Sequence, residues 1–502
     1  MPKASNTSLL IGLCATLCLS ACAGFSEAEF ASAEAGLSAA QPDHSPATQR
    51  RFVRRSAAVG QAALLYAKST QLEPAIRPVA TVASLSSLAT ASAGGFLRRL
   101  SIDSFSFPSL AATPIPAVTA GPGMNLDDWE TELDAIVGRS SYNGRLTYLV
   151  DGEEYFSRLA DAINSATDRI DIRTYIFDND DFAVSVGDLL KERSNEIDIR
   201  VLVDGLGEMQ AQQADPASLP GDHRHPLSMP SYLERKSRVA VRTRNNPWFT
   251  GDHTKTTIVD RKIAFVGGMN IGREYRYDWH DLMIEVQGPV VARLQKDSDK
   301  AWAHASWLGD LAWLARAIKP VGQQQDLDDG YPVRLLYTRE FDPQIYRSQL
   351  AAIRRAQSYI LIQNAYFSDD VMLFELAKAR RRGVDVRVIL PEEGNHPAMN
   401  RSNRVAINKM LEHGIRVYLY PGMSHVKAAI YDGWACMGSA NFDKLSLQVN
   451  KELNLATSNP DAVNELLHRV FIPDLAVSQE IESPFELTFA HRLAEFAADE
   501  FL

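Results

Sequence analysis

What this 502-residue chain lacks narrows the possibilities first. It has four cysteines, and three of them (Cys14, Cys18 and Cys22) fall within the first 22 residues. Beyond them only Cys436 remains, so no internal disulfide can staple the rest of the chain. Cys436 lies in the apolar stretch 434–437, where a buried, inert thiol is expected. The apolar run 9–19 is short, and no later run reaches the ~20 residues of a membrane-spanning helix. Basic charge is scarce as well: 52 Lys and Arg stand against 62 Asp and Glu, a formal net charge of −10. Backbone binding by a nucleic-acid enzyme needs a basic surface, which counts against that class. The local clusters Arg50-Arg51 with Arg54-Arg55, and Arg380-Arg381-Arg382, read as a contact to anionic lipid headgroups and a dipole-matched helix end. His223, His225 and His280 lack metal-ligand spacing, so no metal site and no cofactor are expected.

What is present is a pattern that occurs twice. His253-Thr254-Lys255 is followed by Asp260, and His425-Val426-Lys427 by Asp432, both reading H-x-K-x-x-x-x-D. Each copy runs on into an apolar stretch and a small-residue step ending in asparagine, Gly267-Gly268-Met269-Asn270 and Gly438-Ser439-Ala440-Asn441. One copy would match by chance; two with the same downstream step imply one site built from two related halves. On a strand, His253 and Lys255 share a face and Asp260 points to the other. Asp432-Gly433 is a hairpin signal, so Asp260 and Asp432 are read as structural turn residues.

These residue types suit phosphate esters. A neutral imidazole can attack phosphorus to give a covalent phospho-histidine, and a second, protonated one can give its proton to the leaving alcohol. Lys255, Lys427, Asn270 and Asn441 can hold phosphoryl oxygens as charge develops. Each histidine also needs an orienting partner on its other ring nitrogen. Asp281 lies 28 residues after His253 and Glu452 lies 27 after His425. The matching intervals make these two carboxylates the orienters, one in each half.

Strands and helices alternate through both halves, which predicts an α/β architecture. Strands are expected at 146–150, 170–177, 199–203, 334–337, 359–366 and 386–390, and helices at 153–166, 184–193, 345–356 and 371–382. The strand Ile172-Arg173-Thr174-Tyr175-Ile176-Phe177 echoes Leu361 to Phe367, and Asp198-Ile199-Arg200-Val201 echoes Asp385-Val386-Arg387-Val388. Val201 and Val388 are 187 apart but the histidines only 172, so the first half carries 15 extra residues, assigned to the polar loop 210–228. That loop reads equally as a substrate lip or a tolerated insertion. Trp248 and Phe249, just before His253, read as acyl-chain contacts or as core. The Ala/Ser/Pro-rich stretch 23–125 reads as a tether with helical patches near 57–68 and 97–100. The first domain is then 126–310 and the second 311–502, with a core-docked helix at the C-terminal end.

At these residues the chain resembles the phospholipase D superfamily, and within it the bacterial cardiolipin synthase-like branch. Trp279, Ser446 and Asn450 add to the match, which runs from about Gly144 to about Asn459. Leu445 departs from the Arg-Ser that many relatives carry before Asn450, and Ser446 is left out of the site for that reason. The resemblance implies two similar α/β halves, each a central mixed sheet flanked by helices, packed with pseudo-two-fold symmetry and sharing a site complete in one chain. It also implies phosphatidyl transfer through a phospho-histidine. In many relatives the N-terminal histidine is the nucleophile, which makes His253 the nucleophile and His425 the acid, though relatives differ. The expected reaction takes phosphatidylglycerol to cardiolipin and glycerol. Hydrolysis to phosphatidic acid is the close alternative, and a metal-independent nuclease a distant one.

Lys3, the apolar run 9–19 and Leu19-Ser20-Ala21-Cys22 resemble a bacterial lipoprotein signal. That implies cleavage of residues 1–22 before a lipidated Cys22. Because Ala23 is not aspartate, the expectation is an outer-membrane anchor with a periplasmic body and a membrane-surface partner.

Overall fold

A computed structural model of the chain describes residues 64–103, 109–110, 123–211, 215–246, 250–322 and 326–488. The signal segment with Cys22, the pair Trp248–Phe249 and most of the C-terminal helix expectation lie outside the described residues.

The first half contributes strands β1 (Tyr142–Val150), β2 (Arg169–Thr174), β3 (Asp198–Asp204), β4 (Ala240–Arg244), β5 (Thr256–Val259), β6 (Ile263–Gly267) and β7 (Leu282–Gln287). The second contributes β8 (Tyr331–Arg339), β9 (Asp342–Pro343), β10 (Tyr359–Gln363), β11 (Asp385–Pro391), β12 (Arg416–Tyr420), β13 (Ala428–Tyr431), β14 (Trp434–Gly438), β15 (Glu452–Thr457) and β16 (Gln479–Ile481). They form one continuous path, β16-β12-β11-β10-β13-β14-β15-β8-β1-β7-β6-β5-β2-β3-β4, with β9 paired to β8 alone. The path reads alike outward from its centre, where β1 meets β8 antiparallel over Tyr142–Gly144 and Tyr331–Val333. In each half the outer pairs β2–β3 and β10–β11 are parallel and the inner hairpins β5–β6 and β13–β14 antiparallel. The expected pair of mixed, pseudo-symmetric α/β halves is therefore what the chain forms.

Local sequence explains the flanking layers. In helix Asp151–Ser165, Tyr155, Phe156, Leu159, Ala162 and Ile163 recur at helical spacing and are the residues buried. Helix Gln344–Arg355 repeats this with Ile345, Tyr346, Ala352 and Ile353. Each forms an outer core with its own half, while a third apolar cluster, including Leu146, Ile258, Leu453 and Phe471, runs through both. After each asparagine step comes one turn of π-helix, Glu274–Asp278 and Leu445–Val449, leading to β7 and β15. Such turns mark functional segments more often than chance.

Two expectations about domains need correcting. The described part of the expected tether, 64–103, is helical and packed on the body. Helix Pro78–Asp103 lies against helix Gly309–Ala317, the π turn at 445–449 and helix Asp370–Arg381. Its buried side is made of Thr81, Ser84, Ser87 and Ala91. The small residues that suggested a linker are the ones that let the helix sit close. Just before it, Arg77 is buried in an ion pair with Glu73 and donates from Nε to the His304 carbonyl (2.8 Å). The half boundaries also shift. Helix Leu126–Val137 packs into the second half, with Trp129 edge-on to Trp434 at 5.1 Å. Helix Gly309–Ala317 packs on Val290–His304 of the first half.

Candidate active site

Each H-x-K segment is an extended lead-in to a hairpin strand: 253–255 precedes β5 and 425–427 precedes β13. The hairpins turn at Asp260-Arg261 and Asp432-Gly433, where all four residues have positive φ (51°, 58°, 46° and 94°). This is the primed turn that matches strand twist. The Asp260 carboxylate accepts from the backbone N–H of Thr167, Asp168 and Arg169 at 2.8–2.9 Å. Asp432 accepts from those of Gln357, Ser358 and Tyr359, and from Met124 at 2.9 Å. Both aspartates bracket the hairpin to the chain entering β2 or β10, and neither lines the cleft.

The orienting carboxylates are crossed. His253 Nδ1 meets Glu452 at 3.0 and 3.1 Å, and His425 Nδ1 meets Asp281 at 2.7 Å. The one-per-half assignment drawn from the 27- and 28-residue intervals is therefore corrected: each histidine takes its partner from the other half. Intervals along one chain cannot register a contact made across a two-fold axis. Backbone bonds repeat the crossing. The His253 N–H donates to the Lys451 carbonyl (2.9 Å) and the His425 N–H to the His280 carbonyl (2.7 Å). Lys451 and His280 each immediately precede a carboxylate, so one β-bridge fixes both the histidine and its partner.

The small-residue steps make room for these pairs. A Cβ on Gly268 would lie 2.3 Å from Asp281 Oδ1, so only glycine fits there. Ser439, in the equivalent place, donates its hydroxyl to Glu452 at 2.5 Å. The asparagines are not equivalent. Asn270 spends its amide inside the first half, accepting from Ile176 N (3.1 Å) and Thr174 Oγ1 (3.2 Å) and donating to the Tyr275 hydroxyl (2.7 Å). It holds the strand end rather than facing the cleft, which departs from its expected role as a phosphate ligand. Asn441 does line the cleft, and its Oδ1 is buried without a partner.

Lys255 and Lys427 are buried, and each Nζ donates back to its own histidine's carbonyl, at 2.9 and 2.7 Å. Burial holds the Lys255 ammonium well below its usual pKa and brings Lys427 down to about 8. Burial, then the nearby lysines, holds the His253 imidazole well below its usual value; His425 falls to about 3 despite the pull of Asp281. Burial pushes the Glu452 carboxyl upward against Lys255. Burial is the largest cause of each of these shifts, and an anionic phosphate group in the site would favour the charged forms of the histidines and lysines.

The cleft, of 160 Å³, is lined by His253, Tyr175, Asn441, Tyr366, His396 and Met399, with Gln210, Asp443, Ser446 and Asn450. His253 keeps 16% of its side chain exposed and His425 7%. Gln210 comes from the start of the loop with the extra residues; further along it, His223 Nε2 meets the Asn179 carbonyl of the first half (2.9 Å). Sequence reasoning assigns no role to several residues around the site, although Trp279 is part of the family match. Tyr175 lies edge-on to His253 at 5.0 Å and beneath Lys255, while Trp279 lies 5.3 Å from His425. Asp252 is pinned by Arg173 and Arg244, so the chain entering His253 is fixed by a buried ion-pair network. The strand-end echo of Tyr175 and Tyr366 was visible, but nothing in it said that both face one cleft. Among the described residues no cluster of His, Cys, Asp and Glu is arranged to hold a metal ion.

Two pseudo-equivalent α/β halves that share a site of two crossed histidine–carboxylate pairs and two buried lysines define a phospholipase D-like protein. The family model described as "Cardiolipin synthase, PLD-like domain" matches residues 159–302 and 350–472, more than half of the chain. The chain belongs to this phospholipase D-like family. It is 32% identical over 256 residues to cardiolipin synthase A of Pseudomonas fluorescens, covering 49% of this chain and 51% of that protein. It is 30% identical over 260 residues to cardiolipin synthase A of Pseudomonas putida, again covering 49% and 51%. The chain spans about half the length of the curated relatives it matches. The crystal structure of phosphatidylserine synthase from Haemophilus influenzae has a similar fold, with a TM-score of 0.56 at 13% identity over 74% of this chain and 100% of that one.

Proposed function

We propose that the protein is a phosphatidyltransferase that works through a phospho-histidine, with phosphatidylglycerol as donor and a lipid alcohol as acceptor. The observation that carries this reading is the crossed arrangement of His253–Glu452 and His425–Asp281 around two buried lysines. A carboxylate at Nδ1 leaves Nε2 of each ring for chemistry. His253 is assigned as nucleophile because it is the more exposed histidine and lines the cleft. Its Nε2 forms the bond to phosphorus, the bond to the departing glycerol oxygen breaks, and His425 supplies that oxygen's proton. In the second step an acceptor hydroxyl forms the new P–O bond, the P–N bond breaks with its electron pair returning to His253, and the acceptor's proton goes to His425. Lys255 and Lys427 stabilise charge on the phosphoryl oxygens. The relatives' name, cardiolipin synthase A, supports the choice of product. The same reading includes attachment to the periplasmic face of a bacterial membrane through a lipidated Cys22.

The test is purified protein lacking the first 63 residues, given phosphatidylglycerol vesicles, with lipids read by mass spectrometry. Cardiolipin with stoichiometric glycerol is expected, and none in His253→Ala or His425→Ala. Phosphatidic acid without cardiolipin would make the protein a hydrolase of the same lipids. Substantial turnover in His425→Ala would sink the two-histidine mechanism. For attachment, radiolabelled palmitate in the full chain, lost in Cys22→Ser, is the expected result.

A further inference from the structure

Within the cleft one histidine belongs to neither motif. His396 sits where the chain leaves β11, immediately before helix Pro397–Glu412, and lines the same cavity as His253. Its backbone is held firmly. The Gly394 N–H donates to Asn400 Oδ1 and Asn400 Nδ2 donates to the Gly394 carbonyl, both at 2.9 Å, and the Tyr366 hydroxyl bonds to Asn395. Yet no hydrogen bond involves its ring among the described residues; its ring neighbour is Tyr366, 6.1 Å away. No side chain caps the helix that begins beside it. The ring is half-buried, so its nitrogens stay open to whatever enters the cleft.

The chemistry of the wall indicates the ligand. Burial holds the His396 imidazole below its usual pKa, so at neutral pH it offers one N–H donor and one nitrogen acceptor. On the same wall, the buried Asn441 Oδ1 is an acceptor without a donor. A phosphate oxygen can only accept and would leave both acceptors unmet. A hydroxyl donates and accepts, and a polyol carries more than one.

We propose that His396 is an acceptor-recognition residue: its ring binds a hydroxyl of the polyol alcohol that takes the phosphatidyl group from His253, biasing attack toward that alcohol over water. The inference rests on the phosphatidyl-transfer reading and extends it to the choice between transfer and hydrolysis. The glycerol headgroup of a second lipid and free glycerol share this chemistry, and the two are separated by the test.

The experiment compares wild type, His396→Ala and His396→Gln on phosphatidylglycerol vesicles, with and without deuterated glycerol. It reads the ratio of transfer products to phosphatidic acid. That ratio does not depend on how much of a variant is folded. His396→Ala should lower it about tenfold with both acceptors and raise the apparent KM for glycerol. His396→Gln, which keeps a donor and an acceptor, should stay within threefold of wild type. A ratio within twofold of wild type in His396→Ala, whatever the total rate, would overturn the proposal. So would a loss confined to the lipid acceptor, because the hydroxyls would then not be what His396 recognises. A wild-type chain that makes neither product overturns the phosphatidyl-transfer reading instead. In that event the His396 ring resonance, assigned by its disappearance in His396→Gln, still decides: it should shift on titration with glycerol, and no shift overturns the subsite.

Discussion

At the scale of single residues, the site is two histidines, each with Nδ1 held by a carboxylate from the other half. Replacing Asp281 by asparagine keeps its shape but removes the charge that fixes the ring tautomer and stabilises the imidazolium. On the precedent of catalytic triads that costs about 10⁴ in kcat, and Glu452→Gln should cost a similar factor with little change in KM; steady-state kinetics check both. Protonation gives a second prediction. In the empty site His425 is held to about 3 and Lys427 to about 8. A bound phosphodiester anion favours the charged form of both, so the complex holds more protons than the free protein. Affinity for a phosphodiester, whose own charge is constant, should therefore fall as pH rises from about 6 to 9, with proton uptake on binding. Calorimetry in buffers of different ionisation enthalpy measures both. Nearly every group in this account was nameable from the repeated motif. Its pairing was not, because Glu452 and His253 are 199 residues apart and spacing carries no information about contacts across the pseudo-two-fold axis.

At the scale of elements, the motif aspartates are brackets between hairpins and strands. Asp432→Ala strips acceptors from four backbone N–H groups, one of them on Met124. Urea unfolding should show a loss of about 3 kcal/mol. The N-terminal helix makes its own prediction. Arg77→Ala leaves Glu73 as an unpaired buried charge, at a cost of about 3 kcal/mol, measurable the same way. Strands and helices of the two halves were legible within a few residues, since their apolar periodicity is strong and occurs twice. The helix at 78–103 was misread because its packing face is built of serine, threonine and alanine, a composition shared with flexible linkers. Only the surface it covers distinguishes the two.

At the scale of the whole molecule, the halves are fastened by groups that straddle them. His280 is clamped at 2.7 Å by Asp151 and at 2.7 Å by Asp474, and stacks on Tyr420. Burial opposes its charge, yet the two carboxylates outweigh burial and push its pKa up to about 10. The folded value lies above the unfolded ~6.5. This clamp's stabilisation is therefore complete below about pH 6.5 and fades as pH rises toward 10, by at most about 1.4 kcal/mol per unit. Unfolding free energies of wild type and His280→Phe, compared between pH 6.5 and 10, should converge as pH rises; parallel curves would refute the clamp.

The crossing has a further consequence, in the order in which the chain is made. A ribosome completes the first motif long before it reaches Glu452, the partner that His253 requires. Until Glu452 emerges at the start of β15 and reaches across the axis, the growing chain holds a histidine without the carboxylate that orients it. Both histidine–carboxylate pairs are complete only once the second half has closed on the first.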